Sequence, residues 1–217
     1  MPVEQFPNPE SATREGIVAM GGDLHPDTLR LAYRQGIFPW PHEGLPLLWF
    51  CPPRRAILDF SAIHIPKRLA RTRRLSSLQF TIDKAFDRVI AACKTSERLD
   101  QQGTWITEEV EEAYITAHRL GFAHSAEAWT RDGELVGGVY GIDSGGAFGG
   151  ESMFHRQTDA SKMALLHLVD HLAARGATFL DIQMVTPHME RLGAIEIPRR
   201  LFLKRLASEQ ARNLTLF

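Results

Sequence analysis

The sequence predicts a mixed α/β (α+β) fold, with a small irregular N-terminal domain over residues 1–56 and a regular domain over 57–217. Three observations lead there. Proline and glycine are dense through the first fifty-odd residues, and Pro39, Pro41, Pro46, Pro52 and Pro53 leave little room for long regular elements. Three strand-like segments, 123–129, 134–142 and 146–154, follow one another with turn residues between them. A helical pattern over 160–176 then leads to another strand-like run at 178–184. A meander joined by a crossover to a further strand is a sheet with helices packed on it.

Taken in order, the first helix is expected from Pro26 to Gln35. Pro26 suits its first turn and Gly36 the left-handed position past its end. AILDF (56–60) reads as a strand, and Pro66 opens a basic helix, PKRLARTRR. LQFTI (78–82) reads as a strand, with Asp83 expected to cap a helix over 84–93. Thr107 caps the next helix, with Glu108 and Glu109 in a first turn that favours negative charge, and Gly121 ends it. Asp132-Gly133 and Asp143-Ser144-Gly145-Gly146 are the turns of the meander. Asp159 is expected to cap the long helix, whose Met163, Leu166, Val169 and Ala173 recur at helical spacing, and Gly176 closes it. A helical turn from Pro187 to Leu192, a strand or turn at 194–197 and a short tail complete the chain.

Composition narrows the function classes. The 217 residues are 44% hydrophobic and 24% charged, the balance of a globular protein with a sizeable core. A net charge of −1 gives no global pull toward nucleic acid or membrane, so charge has to be read locally. Cys51 and Cys93 have no CxxC spacing and read as reduced thiols. The start, MPVEQFPNPE, has neither a basic end nor an apolar run, and no stretch approaches the ~20 apolar residues of a membrane span. The expectation is a soluble, cytoplasmic monomer.

The candidate chemistry lies in a few places. In FLDIQM, alternation puts Phe179, Asp181 and Gln183 on one strand face and Leu180, Ile182 and Met184 on the other. A buried carboxylate needs a partner, and local backbone could supply it as well as a substrate could. GGAFGGESMF (145–154) poses the same question, because Glu151 is its lone acid among glycines. It reads either as a bulge with a paired glutamate or as a cavity that admits a ligand. Trp40 and Trp105 sit in glycine- and proline-rich turns, as local core plugs or as a stacking platform for a base. Lys67, Arg68, Arg71, Arg73 and Arg74 form a dense basic run, a solvated helix face or a set of phosphate contacts. A metal is not expected: His167 and His171 are four apart, but the sequence there is not HExxH. P-loop and GxSxG motifs are absent from the sequence.

Nine motifs then occur in a fixed order: GGDL (21–24), AYRQGIFPW (32–40), GTWIT (103–107), AHSAEAW (123–129), LVGGVYG (135–141), FGGESMF (148–154), ASKMAL (160–165), DIQ (181–183) and LGAIEIPR (192–199). Together they resemble the leucyl/phenylalanyl-tRNA–protein transferase family, from about Gly21 to Arg200. The resemblance implies a GNAT-like N-acyltransferase C-terminal domain. It implies transfer of Leu or Phe, and less well Met, from aminoacyl-tRNA to proteins with an N-terminal Arg or Lys. The product would be read by the bacterial N-degron pathway. Neither metal nor organic cofactor is implied.

Carried over motif by motif, the resemblance makes Glu151, Asp181 and Gln183 the catalytic group. Trp40 becomes the stacking partner of the terminal adenosine, with Trp105 beside it. Phe148, Gly150 and Met153, with Leu168, become the apolar amino-acid pocket. The basic helix, Lys67, Arg68, Arg71, Arg73 and Arg74, would hold the acceptor stem by phosphate contacts. Four positions depart from the family pattern: Ile182 replaces a common Cys, CPPRR with Pro53 replaces SPDPR, His155 stands where Ser is usual after ESMF, and Val139 stands where a Met is found. Two rivals remain. An acyl-CoA-dependent acetyltransferase would carry a glycine-rich turn where this chain has HRQTDASK (155–162). A non-catalytic tRNA- or protein-binding module would leave the polar trio unexplained.

Overall fold

The computed structural model describes residues 1–96 and 104–217. Gly103 of the GTWIT motif therefore lies outside the described residues. The N-terminal region is more regular than its proline content predicts. β1 (Ile17–Met20) is followed by α1 (Pro26–Arg34), β2 (Phe38–Trp40) and β3 (Leu48–Phe50), and the strands form an antiparallel sheet in the order β1-β3-β2. Strands of three or four residues fit between the prolines, and Pro39 itself pairs with Trp49 at the sheet edge. Gly36 has φ +74, as the end of α1 requires.

The second sheet has seven strands. β4 (Arg54–Asp59), α2 (Lys67–Leu75), β5 (Gln79–Ile82), α3 (Phe86–Thr95) and α4 (Glu108–Arg119) come first. The meander β6 (Ala123–Trp129), β7 (Leu135–Asp143) and β8 (Phe148–His155) follows, then α5 (Ala160–Ala174) crosses to β9 (Phe179–Gln183). α6 (Pro187–Arg191), β10 (Ile195–Pro198) and α7 (Arg199–Gln210) end the order, and the sheet runs β10-β4-β9-β8-β7-β6-β5. This is the expected mixed α/β, GNAT-like arrangement: an antiparallel meander whose last strand, β8, meets β9 in parallel.

Each face of the sheet has its own core. α5 covers one face with Leu165, Leu168 and Leu172 against Phe148, Leu180 and Val139. α1, α3 and α4 cover part of the other with Tyr33, Val89 and Tyr114, joined by Tyr140 from β7. α7 covers the rest with Phe202 and Leu206 against Ile57 and Phe179. The sequence predicts only a short tail where α7 lies; the buried residues of this helix are Phe202, Leu206 and Glu209, too few apolar ones to show as a stripe.

Two expected caps behave differently from the reading. Asp83 does not cap α3, which starts at Phe86 with Ala85 before it. Instead Asp83 takes a left-handed conformation (φ +56) and accepts from the Ser125 backbone N–H at 2.8 Å. Asp159 does hold the position before α5, but its side chain pairs with Lys162 at 2.6 Å and makes no cap hydrogen bond. Thr107 caps α4 as expected, accepting from Val110 N.

Candidate active site

The site is built where β8 and β9 part. Their parallel ladder has two residue pairs, Phe148–Leu180 and Gly149–Asp181. Beyond them both strands are bulged. On β8, Tyr140 pairs with Ser152 and Gly141 with Gly150, so Glu151 is the extra residue. On β9, Ala56 pairs with Gln183 and Ile57 with Asp181, so Ile182 is the extra residue. A bulge bends its strand and re-aims the side chains around it. Gln183 completes the turn-away with a left-handed φ of +55.

These distortions bring Glu151, Asp181 and Gln183 together. Gln183 Nε2 donates to Glu151 Oε1 at 2.7 Å, and the Gln183 backbone N–H donates to Asp181 Oδ1 at 3.1 Å. Gly149 faces all three. A Cβ there would stand 3.8 Å from Asp181 Oδ2 and from Glu151 Oε1, and 3.9 Å from Gln183 Nε2. Glu151 is thus a bulge residue, and the missing side chain of Gly149 leaves space beside it. Its partners are an amide and two phenols rather than a cation.

Three further side chains complete the group. Arg55, 1% exposed, grips Asp181 with two parallel bonds, Nε to Oδ1 and Nη2 to Oδ2, both 2.7 Å. Its guanidinium lies 4.6 Å from the ring centres of both Phe38 and Phe202. On the other side, Tyr33 from α1 and Tyr114 from α4 are hydrogen-bonded to each other and to Glu151. Burial holds both phenols well above their ordinary pKa, so they remain donors. Sequence reading missed all three. Arg55 enters the sequence reading only as part of CPPRR, and the tyrosines sit at helix positions that read as plain core.

The electrostatics set Glu151 apart. Burial is the main cause that raises its pKa, and the charge of Asp181 adds to it. Hydrogen bonds from Tyr33 and Gln183 and the charge of Arg55 oppose the rise. The result is a carboxyl pushed up to about 8. The Arg55 pKa is raised as well, which for a cation favours the charged form. Burial works against its charge, but Asp181 outweighs that and holds the guanidinium protonated.

Both tryptophans reach this group through one intermediate ring. Trp105 meets Tyr114 edge-on, with centroids 6.3 Å apart. Trp40 neighbours Phe38, the ring under the Arg55 guanidinium. His42 stacks on Trp40 at 5.5 Å and 28°. A cavity of about 560 Å³ is lined by Gly22, Asp23, Pro41, Leu47, Thr107 and Glu109, so the chain next to Trp40 and two residues past Trp105 reaches it, while neither ring lines it.

The other expected site residues lie elsewhere. Phe148 and Leu168 are fully buried in the core under α5, and Met153 packs at the edge of that core with His188 Nε2 3.3 Å from its sulfur. The missing side chain of Gly150 would point at Leu180 in that core. These four therefore share the sheet face opposite the polar trio. α2 also belongs to that side, through Leu69 in the same core and an ion pair from Arg73 to Asp170. Lys67, Arg68, Arg71 and Arg74 make no ion pair among the described residues.

One group among the described residues could offer three ligand atoms to a metal ion: Asp83, His118 and His124. Its donors are already engaged. His124 Nδ1 lies 2.6 Å from Asp83 Oδ2, and His118 Nδ1 lies 2.8 Å from the Ala123 carbonyl oxygen.

Comparison with known proteins places the chain in a family. A family model described as leucyl/phenylalanyl-tRNA protein transferase matches residues 57–207, and one for the N-terminal domain of the same family matches residues 22–53. A leucyl/phenylalanyl-tRNA–protein transferase of Anaeromyxobacter dehalogenans is 49% identical over 202 residues, 93% of this chain and 86% of that protein. One of Magnetococcus marinus is 48% identical over 205 residues, with the same shares of each chain. Among solved structures, FemX superposes with a TM-score of 0.55 at 10% identity, covering 79% of this chain and 66% of its own, a likeness of fold. By sequence over nearly its whole length, the chain belongs to the leucyl/phenylalanyl-tRNA–protein transferase family, enzymes that transfer an aminoacyl group from tRNA to protein.

Proposed function

We propose that this protein transfers Leu or Phe, and less well Met, from aminoacyl-tRNA to the α-amine of proteins that begin with Arg or Lys. The modified proteins would enter the N-degron pathway in the cytoplasm. The observation that carries the chemistry is the convergence of Glu151, Asp181 and Gln183 on the open side of Gly149. The division into residues 1–56 and 57–217 belongs to the same reading, supported by a three-stranded sheet confined to residues 17–50.

The reaction is aminolysis of an ester that is already activated. The acceptor nitrogen bonds to the carbonyl carbon, and the bond from that carbon to the ribose oxygen breaks. Asp181, its carboxylate held by Arg55, accepts a hydrogen bond from the incoming ammonium and orients it, and the ammonium then loses one proton to solvent. Glu151, in its ionised form and held by Gln183, takes the second proton as the amine attacks. It then returns that proton to the leaving ribose oxygen, so the carboxylate is regenerated. A carboxyl with a pKa near 8 suits both steps, since proton transfer is fastest when acid and base strengths are close to the working pH. Holding both substrates together supplies much of the remaining rate.

Trp40 and Trp105 would hold the terminal adenosine, with His42 giving up its place on Trp40. The 560 Å³ cavity supports this placing. It lies at the starts of α1 and α4, and both helices run from there to a tyrosine on Glu151, roughly 10 Å away at 1.5 Å per residue. Phe148, Gly150, Met153 and Leu168 would receive the apolar side chain through the gap between β8 and β9. Discrimination between such side chains is modest, about 1–3 kcal/mol per methylene, so several donors are expected to serve. Lys67, Arg68, Arg71 and Arg74 would contact acceptor-stem phosphates, with Arg73 shared with Asp170.

The test is transfer of labelled Phe from Phe-tRNA to a peptide that begins with Arg. Transfer that disappears when the peptide begins with Ala supports the reading. Absence of transfer at high enzyme concentration, or tight binding of acetyl-CoA, would overturn it.

A further inference from the structure

Arg55 is buried more completely than the carboxylate it serves: 1% exposed against 8% for Asp181. Its fork is fully committed to Asp181, and Nη1 has no hydrogen-bond partner among the described residues. Phe38 and Phe202 both pack on the guanidinium, each with its ring centre 4.6 Å away. Phe38 belongs to β2, the strand that also carries Trp40, and Phe202 belongs to α7. One guanidinium thus joins the N-terminal sheet, the C-terminal helix and the carboxylate on β9.

We propose that Arg55 is a positioning residue for aminoacyl transfer, which fixes the Asp181 carboxylate in register with the Trp40-bearing strand. The assignment rests on the aminoacyl-transfer reading above. Its physical basis is the geometry of the fork. Two parallel bonds fix both the position and the rotation of the carboxylate, which a single ammonium cannot do. The two rings fix the fork in turn, so Asp181 inherits the rigidity of three elements. Asp181 is also the acceptor of the Gln183 backbone N–H. A carboxylate that rotates therefore disturbs the turn of β9 that presents the Gln183 amide to Glu151.

Two variants of the full chain test this, Arg55→Lys and Phe202→Leu, read by steady-state transfer of labelled Phe to an Arg-initiated peptide. Arg55→Lys keeps the charge and loses the fork. Its kcat should fall about 10- to 100-fold, the usual result of an ångström-scale misplacement, while KM for Phe-tRNA stays within about threefold. Phe202→Leu keeps the ion pair and removes one of the two rings packed on the guanidinium, at a residue that itself touches only Arg55 of the polar group. It should lower kcat by roughly threefold, again with KM held. A structural role alone would lower the folded fraction and leave the turnover of folded molecules unchanged. Rates are therefore divided by the folded fraction from circular dichroism.

Wild-type kcat per folded molecule in Arg55→Lys overturns the proposal. If that variant does not fold, an unchanged kcat in Phe202→Leu overturns it. A wild-type protein that transfers nothing sinks the aminoacyl-transfer reading and this one with it. An active wild type with unaffected variants sinks this one alone.

Discussion

Gln183 donates its side-chain amide to Glu151 across the line where β8 and β9 part, at 2.7 Å. The bond runs to the bulged residue of β8 from the residue that follows the bulge of β9, so it measures the shape of the opening. It also stabilises the charged form of Glu151. Gln183→Leu should therefore raise the affinity of Glu151 for its proton. The acidic limb of the pH–rate profile should move to higher pH by about one unit, the equivalent of one hydrogen bond to a charged group. A limb that stays in place would show that Glu151 is not the group titrating there.

Glu151 should also leave a mark on stability. Its pKa is near 4.5 when unshifted and about 8 in the folded protein. Between those values the folded state holds a proton that the unfolded state has lost. The stabilising contribution is complete below about pH 4.5 and is lost as pH rises through about 8, at most about 5 kcal/mol in total and less for a partly exposed side chain. Urea unfolding at pH 5, 6, 7 and 8 should show wild-type stability falling relative to Glu151→Gln, which cannot titrate. Parallel curves for the two proteins would refute the shift.

Asp181→Asn leaves Arg55 buried with its charge uncompensated. Breaking such a pair from one side costs about 3–5 kcal/mol, so the melting temperature should drop markedly. Transfer of Phe should be lost, while filter binding of Phe-tRNA at a temperature where the variant is folded should persist. Retained transfer would remove Asp181 from the mechanism.

Gly149 on β8 and Gly141 on β7 lie close together and should respond in opposite ways. The nearest atoms to a Cβ on Gly149 would be those of the polar trio at 3.8–3.9 Å, ordinary contact distance. Gly149→Ala should fold with a melting temperature close to wild type and lose transfer activity, because it fills the space beside Glu151. A Cβ on Gly141 would lie 2.0 Å from the Gly149 carbonyl oxygen. Gly141→Ala should force the strands apart and cost more than ~3 kcal/mol, as overpacking against backbone does. Thermal melts and single-turnover transfer separate the two effects.

On α2, Arg68→Ala and Arg71→Ala should each lower the slope of log K against log salt for tRNA binding by about one, the signature of one phosphate contact. Arg73→Ala should change the slope less, because its guanidinium is already paired with Asp170. Equal slopes for all three variants would place the tRNA elsewhere.

Much of this was legible in the sequence, for reasons that differ from element to element. The meander, α5 and β9 show in alternation and helical spacing, because each buries a continuous apolar face. Asp181 and Gln183 were correctly placed together, yet strict alternation is not what joins them. The bulge at Ile182 and the left-handed Gln183 set their directions. The three-residue strands of the first sheet left no trace because their period cannot be seen in so few residues. Arg55 was invisible for a sharper reason. A charged residue at the start of a strand reads as surface until its carboxylate, far along the chain, is known. The apolar pocket residues came from resemblance, and the fold places them on the far side of the sheet from the polar trio.

Arg55 and Asp181 are 126 residues apart in the chain. The same separation governs how the protein is made. β4 finds its two neighbours, β9 and β10, only among residues 179–198. During synthesis at about 5–20 residues per second, a nascent β4 waits roughly 6–25 s with both edges bare and an arginine at an inward position. The half of the sheet nearest the candidate site is thus the last to close. Chaperone dependence and loss to aggregation should concentrate in that interval, and a ribosome-stalled chain ending before residue 179 should hold its meander without a working site.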